Sequence, residues 1–171
     1  MEEVNEVWTI IKFNKKRLNS LKEDFSNKFG KDYKIYIPKL MCQKYRNNKI
    51  VKKEINLLGD YMFCFHSSFE NTKIINTLNN LRGLKYFLTG FKDSQKEIMD
   101  FINQCKNSEN KDGFLSYKFY NLKLNKSYRF FSGPFTNKIF KIIELQKNKI
   151  HILMGNLKTT VKKENFLIQS V

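Results

Sequence analysis

The groups that could pass a proton, hold a metal or attack a carbonyl are few in this chain and stand far apart. Cys42, Cys64 and Cys105 form no C-x-x-C pair, and their odd number argues against a disulfide framework. His66 and His151 are the two histidines, too few for an expected metal site. There is no G-x-S-x-G, no P-loop and no H-x-x-E-H. The carboxylates are scattered, and Glu23-Asp24 falls on a lysine-rich helix, where a solvated ion pair is the expected role. The chain is therefore not expected to be an enzyme, nor to carry a metal or cofactor. What remains is binding chemistry: an excess of cations, with Lys15, Lys16 and Arg17 in one run, and abundant aromatic and apolar side chains.

Charge points the same way. The 171 residues carry 32 Lys+Arg against 16 Asp+Glu, a net +16 that favours a polyanionic partner. Most of these cations are lysine, and Asn, Ile and Phe are also abundant, a composition that an AT-rich genome writes by itself. A hydrophobic content of 41%, with 15% aromatic, is enough for a packed core. No N-terminal apolar run resembles a signal peptide, and no segment of about 20 apolar residues is present. A cytoplasmic protein is expected. No amphipathic helix with a Trp- or Phe-rich apolar face supports binding to an anionic membrane.

The elements that must position these residues centre on Leu57 to Gly90, which reads strand, helix, strand. Asp60 to His66 has the dense apolar and aromatic pattern of a strand buried on both faces, with Cys64 in the core. Ser67 or Ser68 is the expected cap of a helix from Phe69 to Leu81, with apolar positions Phe69, Ile74, Ile75, Leu78 and Leu81. Arg82-Gly83 stops that helix, and Leu84 to Leu88 forms the next strand. Upstream, Val7 to Phe13 reads as a strand. Asn14 caps a helix with the stripe Leu18, Leu21, Phe25 and Phe29, which ends at Gly30. Lys15, Lys16 and Arg17 in its first turn oppose the helix dipole at a cost of about a few tenths of a kcal/mol, which a bound phosphate would offset. Tyr33 to Ile37 reads as a strand, and Lys39 to Glu54 as a basic hairpin with Asn47-Asn48 at its tip.

After Gly90, Asp93 or Ser94 caps a helix, Ser94 and Glu97 fitting a capping box, with the stripe Ile98, Phe101, Ile102 and Cys105. The polar stretch 106–118 reads as an interdomain linker. The last 50 or so residues have no helical stripe. Tyr128 to Phe131, Ile139 to Leu145, Lys149 to Met154 and Leu157 to Lys162 read as strands, and five short strands fit a small SH3-like barrel.

These pieces, in this order, carry a resemblance. Trp8 in the first strand, Tyr61 behind a turn, and Leu81-Arg82-Gly83-Leu84-Lys85-Tyr86-Phe87 after a helix resemble the N-terminal domain of the NusG transcription elongation factors. The chain is most similar to their specialised RfaH-like paralogs, as is its ending from Thr160 to Phe166. Ser132-Gly133-Pro134-Phe135 resembles the turn of that family's C-terminal KOW module. Two positions depart: Phe140 stands where the family usually has glycine, and Gly59-Asp60 where the general factor has Pro-Gly.

The resemblance implies an α+β chain. An N-terminal α/β sandwich, a NusG N-terminal-like polymerase-binding domain, would span residues 1–105. A linker would span 106–118, and a KOW-like small SH3-like β-barrel 119–171. In RfaH-type proteins the last domain can refold into a helical hairpin, but the β-branched and aromatic content here favours the barrel. The implied function is a non-catalytic transcription elongation and antitermination factor. Trp8, Leu58 and Tyr61 would bind the clamp helices of RNA polymerase, with the domain reaching the opposite lobe. Asn76 and Thr77 align with the segment that meets the β gate loop. Lys15, Lys16, Arg17 and Arg82 would touch non-template DNA or nascent RNA, and the KOW domain would recruit a ribosome or termination factor. A monomer with no membrane partner is expected. The alternative is a basic RNA- or ribosome-binding KOW protein of translation or ribosome assembly.

Overall fold

The computed structural model describes residues 7–46, 49–116, 122–131, 133–163, 166 and 168–171. The chain divides into two compact units, residues 1–38 with 56–104 and residues 39–55 with 105–171.

The first unit is built on a four-stranded antiparallel sheet. Its strands are β1 (Trp8–Phe13), β2 (Lys34–Tyr36), β5 (Tyr61–Phe65) and β6 (Leu84–Phe87), in the order β2-β5-β1-β6. Period-two alternation gives each strand two faces. One face carries Thr9, Ile11, Phe13, Met62 and Cys64, all buried. It is covered by α1 (Leu18–Phe29), through Leu21 and Phe25, and by the segment around Phe69, whose ring meets Phe87 edge-on at 5.6 Å. Burial also pushes the Cys64 thiol far above its ordinary pKa. The other face carries Trp8, Ile10 and Lys12 on β1 opposite Phe65, Phe63 and Tyr61 on β5. Helix α3 (Gln95–Ser108) lies against its Trp8 end: Phe101 packs on Phe63 at 5.8 Å. The Gln95 amide accepts from the Trp8 N–H and donates to the Trp8 carbonyl.

Local chemistry explains most element boundaries. Asn14 accepts from the Lys16 N–H and starts a 3₁₀ turn, Lys15–Arg17, that leads into α1. The helix expected from Phe69 to Leu81 is split in two. A 3₁₀ turn spans Ser67–Glu70, and α2 spans only Thr72–Thr77. The caps are not Ser67 or Ser68. His66 Nδ1 accepts from the Ser68 N–H, and the extended Asn71 accepts from the Lys73 N–H. A second good N-cap residue inside the apolar run restarts the helix there. The stripe still holds in part, since Phe69, Ile75 and Leu78 are buried.

Gly83 shows why only glycine serves between α2 and β6. Its φ is +85°, and an added Cβ would lie 2.8 Å from the Arg17 carbonyl oxygen. Its own carbonyl accepts from the Asn14 N–H at 2.8 Å. Gly83→Ala should therefore destabilise the first unit by about 2–4 kcal/mol, from left-handed strain plus overpacking. Chemical denaturation of the purified variant measures it, and an unchanged midpoint would refute the account.

In the second unit β3 (Lys39–Arg46) pairs with β4 (Lys49–Asn56) as the expected hairpin, whose tip at Asn47-Asn48 lies outside the described residues. The stretch expected to be an interdomain linker is built differently up to residue 116. Helix α3 runs to Ser108. Asn110 Oδ1 then accepts from the N–H groups of Asp112 and Phe114, and Leu115 is buried. A polar run without periodicity encodes a side-chain-bonded turn as readily as a tether.

The rest of this unit is a five-stranded antiparallel sheet of β7 (Ser127–Phe130), β8 (Ile139–Leu145), β9 (Lys149–Met154), β10 (Leu157–Lys162) and β11 (Ile168–Ser170), in the order β10-β9-β8-β7-β11. The β reading of this region holds, and the described residues here show strands rather than a helical hairpin. Its core gathers Tyr128, Phe130, Phe140, Ile142, Ile150, Ile152, Val161 and Ile168. Phe140 stacks on Phe130 at 4.2 Å.

Candidate interaction surface

The turn that leads into β5 aims the central side chain. Residues 57–60 reverse the chain with Gly59 at φ +63°. The Asn56 side chain donates to the Gly59 carbonyl, and the Phe13 N–H donates to that of Asp60. This fixes Tyr61 at the first position of β5. Tyr61 is half-buried, and Lys12 pairs with it across one side of β1 and with Tyr86 across the other. The two phenol oxygens are 3.0 Å apart, and the Lys12 ammonium stands 5.3 Å from the Tyr61 ring centre and 5.6 Å from that of Tyr86. Three adjacent strands thus present one transverse row, Tyr61-Lys12-Tyr86. The next row is apolar: half-buried Ile10, buried Phe63 and exposed Leu88, whose N–H donates to the Ile10 carbonyl. Leu58 is half-buried in the turn and packs on the same core.

Electrostatics couple the row. The two tyrosines hold the Lys12 ammonium above its ordinary pKa, the closeness of Tyr61 being the largest cause. The Tyr86 phenol is lowered, first by its hydrogen bond to Tyr61 and then, against some burial, by Lys12.

Trp8 does not belong to the open surface. It is 2% exposed, under α3, with its ring 5.8 Å from that of Phe65. Its place in the first strand is as expected, but a direct partner contact is not open to it; it supports the sheet. Asn76 and Thr77 are exposed on α2, where the Thr77 hydroxyl donates to the Ile74 carbonyl.

The structure brings the four cations to one corner of the first unit. Lys15, Lys16 and Arg17 are exposed in the 3₁₀ turn, and Gly83 packs against the Arg17 backbone. Lys15 pairs with Asp60 at 3.3 Å, which ties this corner to the Tyr61 turn. Lys16 and Arg17 make no ion pair among the described residues. Arg82 has other work. Its guanidinium donates to Asp24 at 2.6 and 3.0 Å and to Glu23 at 3.3 Å, while its own N–H donates to Asp24 at 2.8 Å. The pair clamps the loop before β6 onto α1, and a nucleic-acid contact from Arg82 would have to share that clamp.

The Arg82 hydrogen bonds hold the Asp24 carboxyl below its ordinary 3.8. A depressed carboxylate contributes stability above its unfolded pKa and loses it as pH falls through the folded value. Asp24→Asn should therefore lower the melting temperature at neutral pH, and the gap to the wild type should close as acid protonates Asp24. Melting curves from pH 7 downward check this; a gap that does not shrink in acid would contradict it.

A hollow of about 370 Å³ lies elsewhere, lined by Lys22, Ser26, Gly30, Lys31, Tyr33 and Ile35. Ile35 pairs with Cys64, so this hollow belongs to the α1 side of the sheet. No group of three or more His, Cys, Asp or Glu that could hold a metal is present among the described residues, and none of their helices is long and apolar enough to cross a membrane.

Sequence reasoning singled out Tyr61 and Leu58 and passed over Lys12 and Tyr86, which the structure sets beside Tyr61, and Gln95, which bonds the Trp8 backbone. The alternation of β1 does place Lys12 opposite Ile11 in facing; its two tyrosine neighbours follow only from strand register.

No protein-family model and no curated protein matches this chain. Among solved structures it is similar to Thermotoga maritima NusG, in a structure of its domain interaction, with 13% identity, 98% of each chain covered and a TM-score of 0.37. It is also similar to a chain of the MjSpt4:Spt5 complex in conformation B, with 11% identity, 96% of this chain and 97% of the other covered and a TM-score of 0.28. Likenesses this low support no conclusion about function.

Proposed function

We propose that the chain is a non-catalytic transcription elongation and antitermination factor of the NusG/RfaH type that docks on RNA polymerase through the first unit. The observation that carries this reading is the Tyr61 row: a half-buried aromatic on an open sheet face, bordered by apolar side chains and held by a rigid turn. A large aromatic anchored in apolar surroundings is the usual form of an interface hot spot. Tyr61 and Leu58 make the contact with the clamp helices in this reading, and Trp8 holds the strand beneath. Lys15, Lys16 and Arg17 lie where passing nucleic acid meets them, and Arg82 orients that corner. The second unit, read as a KOW-like barrel, recruits a ribosome or termination factor. Joining two modest affinities in one chain raises the effective concentration of each.

A second reading has an observation of its own. The row Ser127-Lys141-Leu153-Lys158 crosses β7 to β10 with both lysines exposed, and Arg129, Lys149 and Lys162 are exposed as well. That favours an RNA- or ribosome-binding role for the second unit. Salt separates the two. RNA held through about six phosphates should lose about a thousandfold in affinity between roughly 50 and 200 mM salt. Docking of purified core polymerase through the Tyr61 row should weaken far less. Polymerase that fails to bind at low salt, with RNA that binds, would overturn the first reading.

A further inference from the structure

Lys34 lies over the Phe65 ring on this face, 4.8 Å from its centre, and Lys12 is the charge set in the middle of an aromatic and apolar field. Tyr61 and Tyr86 flank it, and the next row holds Ile10, Phe63 and Leu88. No carboxylate meets its ammonium among the described residues. Asp60, beside Tyr61 in sequence, is taken by Lys15 at 3.3 Å. The hydroxyl pair adds a second unspent donor. Whichever phenol donates across the 3.0 Å contact, the other keeps a proton that must point elsewhere.

We propose, resting on the docking reading above, that the Tyr61-Lys12-Tyr86 row receives a carboxylate carried by an otherwise apolar segment of the partner protein, and that Lys12 is the residue that selects it. An ammonium and a phenol O–H together suit one carboxylate, in the charge-assisted geometry that makes such bonds strong. Half-buried Ile10 and exposed Leu88 suit the rest of the segment, whereas Phe63 is buried against Phe101. A phosphate backbone calls for a track of cations at the spacing of its charges. This row offers one, and Lys15 to Arg17 lie beyond the end of β1. Selection follows from what is left unpaired: a wholly apolar segment laid on this face would cover the ammonium without a counter-charge, and that penalty rejects it.

The test uses the full chain and purified core polymerase, with folding of each variant checked by circular dichroism. Lys12→Met keeps the length and removes the charge. It should weaken binding about tenfold or more, the worth of one hydrogen bond to a charged group. Its binding should also depend less on salt. Lys12→Glu should bind more weakly still, while Lys12→Arg should stay within about threefold of the wild type. Undiminished binding of Lys12→Met alongside a loss for Tyr61→Ala would overturn the carboxylate and leave docking intact. Undiminished binding of both would sink the docking reading and the carboxylate with it. If Lys12→Met instead loses a labelled single-stranded oligonucleotide and keeps polymerase, the row reads phosphate and the proposal is wrong.

Discussion

Phe130→Ala should cost the second unit about 3–5 kcal/mol, the range for truncating a large buried aromatic. Phe130 is 0% exposed and sits at the centre of the aromatic cluster, 4.2 Å from Phe140, 5.1 Å from Phe166 and 5.6 Å from Phe135 by ring centres. Its removal leaves the three partners facing a void that the sheet cannot close without shifting β7 against β8. Whole domains are stable by only about 5–15 kcal/mol, so the loss is a large share of what this unit has. Hydrogen exchange gives the readout. Amides of β7, β8 and β9 should lose protection while those of β1 and β5 keep theirs. Equal protection in the variant and the wild type would show that the cluster does not hold this unit together.

Tyr61→Ala should cost at least about 2 kcal/mol of affinity for core polymerase, roughly thirtyfold, if the row is the docking site. The change removes the ring, its hydroxyl contact with Tyr86 and one wall of the Lys12 site together. Stability should suffer less than affinity, because the ring is only half-buried and its strand neighbours Met62, Phe63 and Cys64 remain in the core. Tyr61→Phe separates the parts: it keeps the ring and should retain most of the binding. Titration calorimetry against purified polymerase measures both. A folded Tyr61→Ala variant with unaltered affinity would refute the assignment.

Much of this architecture is legible in the sequence because local signals agree with the tertiary ones. The run from Trp8 to Phe13, the cap at Asn14 and the stripe from Leu21 to Phe25 each predict an element that forms. The failures have particular causes. The helix from Phe69 splits because Asn71 competes as a cap, a contest that apolar periodicity does not register. Asn110 makes a turn where composition suggested a tether. Arg82 reads as a free cation until α1 brings Asp24 to it from 58 residues away. Trp8 reads as a surface anchor until α3 is laid over it. Lys12 goes unnoticed because its role depends on two strands pairing with β1 in one register, which a single sequence does not state.

The sheet of the first unit ends on one side with β2, three residues long, and on the other with β6, four residues long. Margins that short offer few unpaired amides to a foreign strand, so zipper-like recruitment of another chain is poorly supported there. A partner docking on the first unit, as proposed above, would then approach broadside and be gripped by side chains, which makes its identity a matter of amino-acid chemistry rather than of backbone ladders.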